Sequence, residues 1–406
     1  MQCKVLLNIS KQSMRKTKGV RAMKTKLSFR RVILAVLLIT LLNIAQGCSK
    51  EKPGISKYFP VQTEKSGTWN LMDMDGNLIL DKGLEHRPMT ATEGIFYILK
   101  KGSFEYYKAG KEPLKIGTAY FDGSIFSEGL AAVVQGEGDD GIIQYIDHEG
   151  VAKITLHKLD GMRVTAASIF SEGMAWVKNE NDKYGFIDKS GTLVIPFKYD
   201  YARPFHEGRA LVSQDAEFSV RTGFIDAKGE EVIKLTDQYY YFADFQEGYT
   251  TFRDNSNGYH GTIDTTGKIA IDINKEFYHI GSFVNGVADF YDENAQGLAD
   301  TKGNVVVQPK YDEITFFPAG IAVRTDNKCG VLDFEGKEIF DMTDQYESIV
   351  PWADGKYLVK DGSFAIFVDQ NGKQIGNDRY YDFDERGFWS HMLKTNVDIY
   401  HSGAGE

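Results

Sequence analysis

Residues 172–195 read EGMAWVKNENDKYGFIDKSGTLVI. MAWVK is a short apolar run, NENDKY a turn, GFID a second run, KSG a second turn and TLVIP a third run. Turn formers at short intervals, with aromatic and β-branched residues between them, spell strand–turn–strand–turn–strand. The KYDYARPF that follows leads onward as a fourth short strand. Pro196 and Pro309 follow apolar runs, where each is expected to end a strand. In MAWVK, Met174 and Trp176 face one way while Ala175 and Val177 face the other. Apolar residues on both faces require a sheet covered on both sides. Helical 3.6-residue periodicity is missing beyond the N-terminal 47 residues.

The stretch recurs down the chain. Its first half returns as Phe126-Ser-Glu-Gly129, Phe170-Ser-Glu-Gly173, Phe205-His-Glu-Gly208, Phe245-Gln-Glu-Gly248, Phe283-Val-Asn-Gly286, Phe317-Pro-Ala-Gly320 and Trp352-Ala-Asp-Gly355. Its second half returns as YIDHEG, GFIDKSG, GFIDAKG, GTIDTTG, GLADTKG, GVLDFEG and FVDQNG, which carry Asp147, Asp188, Asp226, Asp264, Asp300, Asp333 and Asp369. LMDMDG (71–76) is an earlier copy, and YYKAG (106–110) is one that has lost its aspartate. A repeat of this length cannot cover its own apolar faces, so neighbours must stack. The reading is all-β, with about nine tandem units of three to four strands. A propeller-like ring is the expected arrangement, ahead of an open β-solenoid, although nine units exceed the roughly four to eight blades of most propellers. A partial copy after residue 380, Phe383-Asp-Glu-Arg-Gly387-Phe-Trp389, is placed to pair with the incomplete first unit.

The glycine-aromatic-Ile-Asp-x-x-Gly pattern, with aromatic-x-Glu-Gly between copies, resembles the WG-repeat family over residues 66–372. The tryptophan of that name is replaced here, by Tyr184 in one copy and Cys329 in another. The resemblance implies a binding or interaction repeat of bacterial envelope and secreted proteins, without an established chemistry.

Residues 1–47 hold ten Lys or Arg and no Asp or Glu. Val32 to Ala45 is an apolar run after a basic segment that begins at Met23. It is shorter than the roughly 20 residues of a membrane-spanning helix and suits a signal peptide, with Met23 the expected start. Gly47-Cys48 directly after it resembles a bacterial lipobox, which makes Cys48 the expected lipid attachment site. Residues 48–65 then form a tether and 66–406 a single repeat domain. Ser49 after the cysteine points, by resemblance to bacterial sorting rules, to an outer-membrane lipoprotein. Without residues 1–47 the chain has 47 − 10 = 37 basic against 57 acidic residues, a net charge of −20. That argues against nucleic acid as a partner. Only Cys329 lies beyond Cys48, which leaves no disulfide within the repeat domain.

Catalytic signatures fail on inspection. Asp264-Thr-Thr-Gly267 has one residue too many for an aspartic-protease loop, and such an enzyme needs a paired aspartate. The recurring aspartates read instead as turn residues that accept hydrogen bonds from amides two residues on. The acidic loops at 73–77 and 136–141 lack the spacing of an EF-hand, and the eight histidines form no ligand pair at metal spacing. No metal and no cofactor is expected. Extra rings at Tyr239, Tyr240, Tyr241, Tyr380 and Tyr381 break the repeat and are candidate contacts for a glycan or protein. The expected function is a non-catalytic, lipid-anchored envelope protein that binds a protein or glycan. The alternative is an envelope hydrolase with carboxylates drawn from inter-repeat loops.

Overall fold

A computed structural model describes residues 58–383, apart from 90, 137–140, 217–218, 242, 273–276, 293 and 354, together with 399–400. The leader, Cys48 and the partial copy beyond Phe383 lie outside the described residues. No helix occurs among those described. The described residues form nine antiparallel sheets, numbered here in chain order. They span residues 58–73, 95–120, 122–156, 158–199, 201–236, 239–271, 279–311, 313–343 and 348–369. Within each sheet the consecutive strands pair in sequence order through local hairpins, and two short strands from the far end of the chain join earlier sheets: Asp382–Phe383 in sheet 1 and Ile399–Tyr400 beside Ala166 and Ala167 in sheet 4.

The opening stretch supplies the middle of sheet 4. Met174–Asn179 pairs with Tyr184–Asp188, which pairs with Leu193–Tyr199. The fourth short strand, Tyr201–Ala202, pairs with Ala210–Ala216 and so begins sheet 5. Pro196 and Pro309 do not end their strands, which run on to Tyr199 and Tyr311. Each is on the last strand of its sheet, where a missing N–H costs no ladder bond on the open side. Those strands shift register beside the proline, and Gly185 marks the spot: a Cβ there would lie 2.6 Å from the Ile195 carbonyl oxygen.

Both faces of each sheet are buried, as the two-sided strands require. Ala175 and Val177 pack toward sheet 3 with Tyr145 and Ile154, whereas Met174 and Trp176 pack toward sheet 5 with Ala210 and Val212. The same division repeats until nine apolar clusters fill nine seams. An open row of nine sheets would have eight seams. The ninth joins the ends: Phe59, Val61 and Met72 of sheet 1 pack with Val350, Trp352, Leu358 and Phe367 of sheet 9. The Trp352 indole N–H donates to the Met74 carbonyl, and Lys356 Nζ donates to the Asp75 carbonyl at 2.7 Å. Asp382–Phe383 adds a strand to sheet 1 beside Val61 and Gln62. The repeat domain is therefore a closed ring of sheets, with the end of the array pinned to its beginning. It begins by Tyr58 and not at residue 66, because Tyr58–Gln62 is a strand of sheet 1.

The closing glycine of each repeat also sits on a seam. Gly191 has φ 80° and a Cβ there would stand 2.8 Å from Ile154 of sheet 3. Gly173 has φ 81° but open space around it. Gly191→Ala should therefore lower stability more than Gly173→Ala, for which only the left-handed conformation, roughly 1–2 kcal/mol, is at stake. Trp352→Ala should cost about 3–5 kcal/mol, since it empties the closing seam. Urea unfolding midpoints of the three variants check both statements.

Candidate functional site

Two polar side chains recur in the repeat, and the fold uses both. The aspartates cap their own turns. Asp188 Oδ1 accepts from the Ser190 amide at 2.9 Å, the Thr192 amide at 3.0 Å and the Ser190 hydroxyl at 2.6 Å. The same pair of amides, two and four residues on, binds Asp147, Asp226, Asp264, Asp300, Asp333 and Asp369. Asp73 in the loop at 73–77 does likewise. The Ser190 hydroxyl and the Thr192 amide hold the Asp188 carboxyl below the usual range, and Thr266 does the same for Asp264.

The glutamates tie neighbouring sheets together. In each aromatic-x-Glu-Gly turn both central residues have positive φ, for example Glu172 at 56° and Gly173 at 81°. Ser171 and Met174 bracket them with a reciprocal pair of backbone bonds, the mark of a type I′ turn. Glutamate at positive φ is unfavourable, so the turn needs compensation. The carboxylate of the preceding turn supplies it. Glu128 accepts from the Glu172 and Gly173 amides at 2.6 and 3.0 Å, and Glu172 from the Glu207 and Gly208 amides at 2.7 and 2.8 Å. Glu207 accepts from Gly248, Glu247 from Asn285 and Gly286, and Glu93 from Gly129. Five carboxylates thus link six successive turns. His148 lies 2.7 Å from Glu93, and Lys189 lies 3.1 Å from Glu128. Glu93 was not among the expected copies, because Ala91-Thr92 replaces the aromatic that marks the others.

The tyrosine candidates do not assemble into one patch. Tyr241 and Tyr380 are buried, and burial pushes each phenol up to about 12. Tyr241 packs on Phe224 and Tyr380 on Phe367, so both are corrected from contact residues to core. Tyr239 meets Phe252 in a tilted pair at 4.6 Å, and Tyr381 meets Phe364 at 6.3 Å. Tyr240 is exposed, with the Arg253 guanidinium 5.9 Å from its ring. The first three belong to sheet 6 and the other two to the seam between sheets 9 and 1.

Copies differ at the residue before the strand glycine, which reads Tyr184, Thr222, His260, Gln296 and Cys329 in sheets 4 to 8. Each reaches the next sheet. Tyr184 meets Tyr201, the Thr222 hydroxyl donates to the Tyr239 carbonyl, and Gln296 accepts from the Ile314 amide. The His260 ring lies 4.9 Å from that of His279. Cys329 is the small member of this set. Its thiol donates to the Tyr346 carbonyl at 3.2 Å, and burial pushes its pKa up. Beside it the seam between sheets 8 and 9 opens into a cleft of about 660 Å³. Arg324, Asp326, Lys328, Glu347, Lys360 and Asp361 give that cleft charges of both signs. Arg324 is held by the Glu347 carbonyl at 3.1 Å, and Lys360 pairs with Glu347 at 3.1 Å. A second cavity of about 470 Å³ shares Arg324, Cys329 and Ser348 and adds Ile314, Phe317, Val323 and Val350. Polar and apolar walls meet at Cys329. This combination suits a polar ligand with an apolar face, such as a sugar ring or a peptide. Among the described residues no three His, Cys, Asp or Glu side chains are placed to hold a metal ion.

Two predictions follow from these charges. Glu172→Gln removes the charge from one link and should cost about 1 kcal/mol, read as a lowered urea midpoint. Acid should weaken the fold in two windows. Burial, with His279 and Arg253 nearby, pushes His260 down from 6.5 to about 4. Its contribution is complete above pH 6.5 and is lost as pH falls through 4. The aspartate turns contribute above the ordinary carboxylate pKa and lose that contribution below it, since their folded values are depressed. His260→Gln should flatten the urea midpoint between pH 6.5 and 4 and leave the steeper loss below pH 4.

The WG containing repeat model matches residues 163–184, 184–217, 223–257 and 297–329. No curated protein matches the chain by sequence. Among solved structures, the computationally designed Ika8 protein is 12% identical with a TM-score of 0.39, over 72% of this chain and 95% of that one. BamB from Moraxella catarrhalis is 11% identical with a TM-score of 0.30, over 74% and 90%. The WD40 beta propeller domain of Doa1 is 10% identical with a TM-score of 0.27, over 64% and 91%. Likeness at this level adds nothing to the ring, which rests on its own nine seams. Four segments of this chain are thus similar to the WG containing repeat, and the sheets that carry them share one turn chemistry and one seam chemistry.

Proposed function

We propose that this protein is a non-catalytic binding scaffold, held at the cell envelope by a lipid on Cys48, and that it takes a glycan or peptide in the cleft between sheets 8 and 9. One observation carries the reading. The polar groups common to the repeats are spent on turn amides and on neighbouring sheets, and beside the small Cys329 the seam opens into a cleft with charges of both signs. Function then belongs where the copies differ. Lys328 and Lys360 draw acidic groups of the ligand, Asp326 and Asp361 draw its donors, and the adjoining cavity takes an apolar face. The envelope address rests on the basic segment from Met23, the apolar run 32–45 and Gly47-Cys48. An acyl chain there anchors the ring without spanning the bilayer.

Two experiments test this. Cys48→Ser should move the protein from the membrane fraction to the soluble one and abolish incorporation of labelled palmitate. Glycan arrays and envelope pull-downs with the parent should yield a ligand, and both Cys329→Trp, which fills the cleft, and the rim pair Lys328→Glu with Lys360→Glu should lose it. Retention by the rim variant with an unchanged unfolding midpoint would place the ligand elsewhere.

A further inference from the structure

Sheet 8 repeats sheet 4 in register, so the side chains that fill one seam can be set against those of the other. In sheet 4 Trp176 pairs with Phe186 and Lys178 with Tyr184; in sheet 8 Ala322 pairs with Val331 and Arg324 with Cys329. The strand glycines Gly185 and Gly330 fix the alignment. Trp176 and Tyr184 are both buried and meet edge to face, with ring centroids 5.0 Å apart. They fill the seam against sheet 5, where Tyr201 meets Tyr184 at 6.0 Å. Lys178 Nζ stands 5.8 Å from the centre of the Tyr184 ring. In the seam between sheets 8 and 9 the places of Trp176, Tyr184 and Tyr201 belong to Ala322, Cys329 and Ser348, and the place of Lys178 belongs to Arg324. Three rings are gone and the cation is kept.

The lost volume is restored in only part of the seam. Phe340 and Tyr357, at places held by Ile195 and Ala210 in sheets 4 and 5, meet edge to face at 4.9 Å. Neither belongs to the walls of the cavity of about 470 Å³, which include Ala322, Arg324, Cys329 and Ser348 with Ile349 and Val350. Protein interiors are otherwise close-packed, and a largely apolar cavity of this size with a few polar groups is the form of a ligand site. Its space coincides with the places where sheet 4 carries its rings. The sister seam therefore shows what such a space accepts: flat rings, edge to face, beside a cation.

We infer that the cavity beside Cys329 receives an aromatic side chain of a partner peptide, which takes the place of Trp176 and Tyr184 and lies against Arg324. The inference rests on the reading of the seam between sheets 8 and 9 as the ligand site, and it names the ligand as a peptide with an indole or phenol ring rather than a glycan. Edge-to-face ring contacts and a cation near the ring face each favour an aromatic group over an aliphatic one of similar area. The cleft of about 660 Å³ shares Arg324, Cys329 and Ser348 with the cavity. A peptide with its ring in the cavity thus has its charged neighbours in the cleft, at Lys328, Lys360 and Asp361.

The test is a titration of the full chain, labelled at the methyl groups of isoleucine and valine and followed by NMR. A docked ring shifts nearby methyl signals by its ring current, which an aliphatic group cannot do. The expected result is a saturable shift of the Ile349 and Val350 methyls with N-acetyltryptophan amide and none of that size with N-acetylleucine amide, while Ile195 in the filled seam stays in place. The capped tripeptide glutamyl-tryptophyl-lysine should saturate at a lower concentration than 3-methylindole, the free ring. Ala322→Trp with Cys329→Tyr, which rebuilds the sheet 4 pair, should abolish the shift. Arg324→Gln leaves the cavity in place and should raise the half-saturating concentration roughly two- to fivefold. The inference is overturned if the ring ligands shift nothing, if leucine amide shifts the methyls equally, or if 3-methylindole saturates before the tripeptide. A persistent shift in the folded double variant, or an unchanged titration in Arg324→Gln, overturns it too. A ligand from the glycan arrays or pull-downs that depends on Lys328 and Lys360, with no ring shift at these methyls, ends this inference and leaves the cleft reading standing; the absence of both ends both.

Discussion

The structure depends on strands that are apolar on both faces. A sheet with one apolar face can stop at water, but a sheet with two cannot. Sheet 4 buries Ala175 and Val177 on one side and Met174 and Trp176 on the other, so it needs sheets 3 and 5. The same need passes along the chain and leaves two apolar faces at its ends. Phe59 and Val61 on sheet 1 and Trp352 and Phe367 on sheet 9 cover each other, and that contact turns a row into a ring. Sheet 1 is completed by Asp382–Phe383 from the far end of the array, so closure is written in backbone pairing as well as in packing.

Within that constraint the repeat's carboxylates have divided roles. Aspartate works inside its own unit, where it shapes the turn that lets the next strand return. Glutamate works between units, where it fills the amides of the neighbour's turn. The second role explains a choice that local preference does not. Asparagine or aspartate suits a type I′ turn better than glutamate does. Only the longer side chain reaches the next turn, and at Asn285, where it is shortened, no carboxylate is passed on. The cost of a left-handed glutamate and the gain of a bond across the seam are thus two sides of one arrangement.

Much of the fold was legible in the sequence. Recurrence in register gave the unit, its strands and the two-sided apolar pattern, because alternation along a strand is a local property. The structural turns at Asp188 and its sister positions were legible for the same reason. The contacts that cross seams were not. Nothing local in Glu128 says that it reaches Glu172, 44 residues away. Tyr241 and Tyr380 looked like exposed extras because a tyrosine that breaks a consensus reads the same whether it faces a ligand or a neighbouring sheet. Pro196 looked like a strand end because its tolerance depends on being at an edge, which only the sheet order shows. The open cleft beside Cys329 is a matter of what the facing sheet fails to fill, and one strand cannot report that.

The central claim is that the first and last sheets touch. Lys356 Nζ reaches the Asp75 carbonyl, which brings residues 281 positions apart into contact. Cysteines placed at both positions, in a chain with Cys3 and Cys48 replaced by serine and Cys329 buried, test it directly. The closed ring predicts an intramolecular crosslink by a short bifunctional maleimide that spans the length of a lysine side chain, with the urea midpoint kept. No intramolecular crosslink while the protein stays folded, or crosslinking only between molecules, would contradict closure and leave an open array.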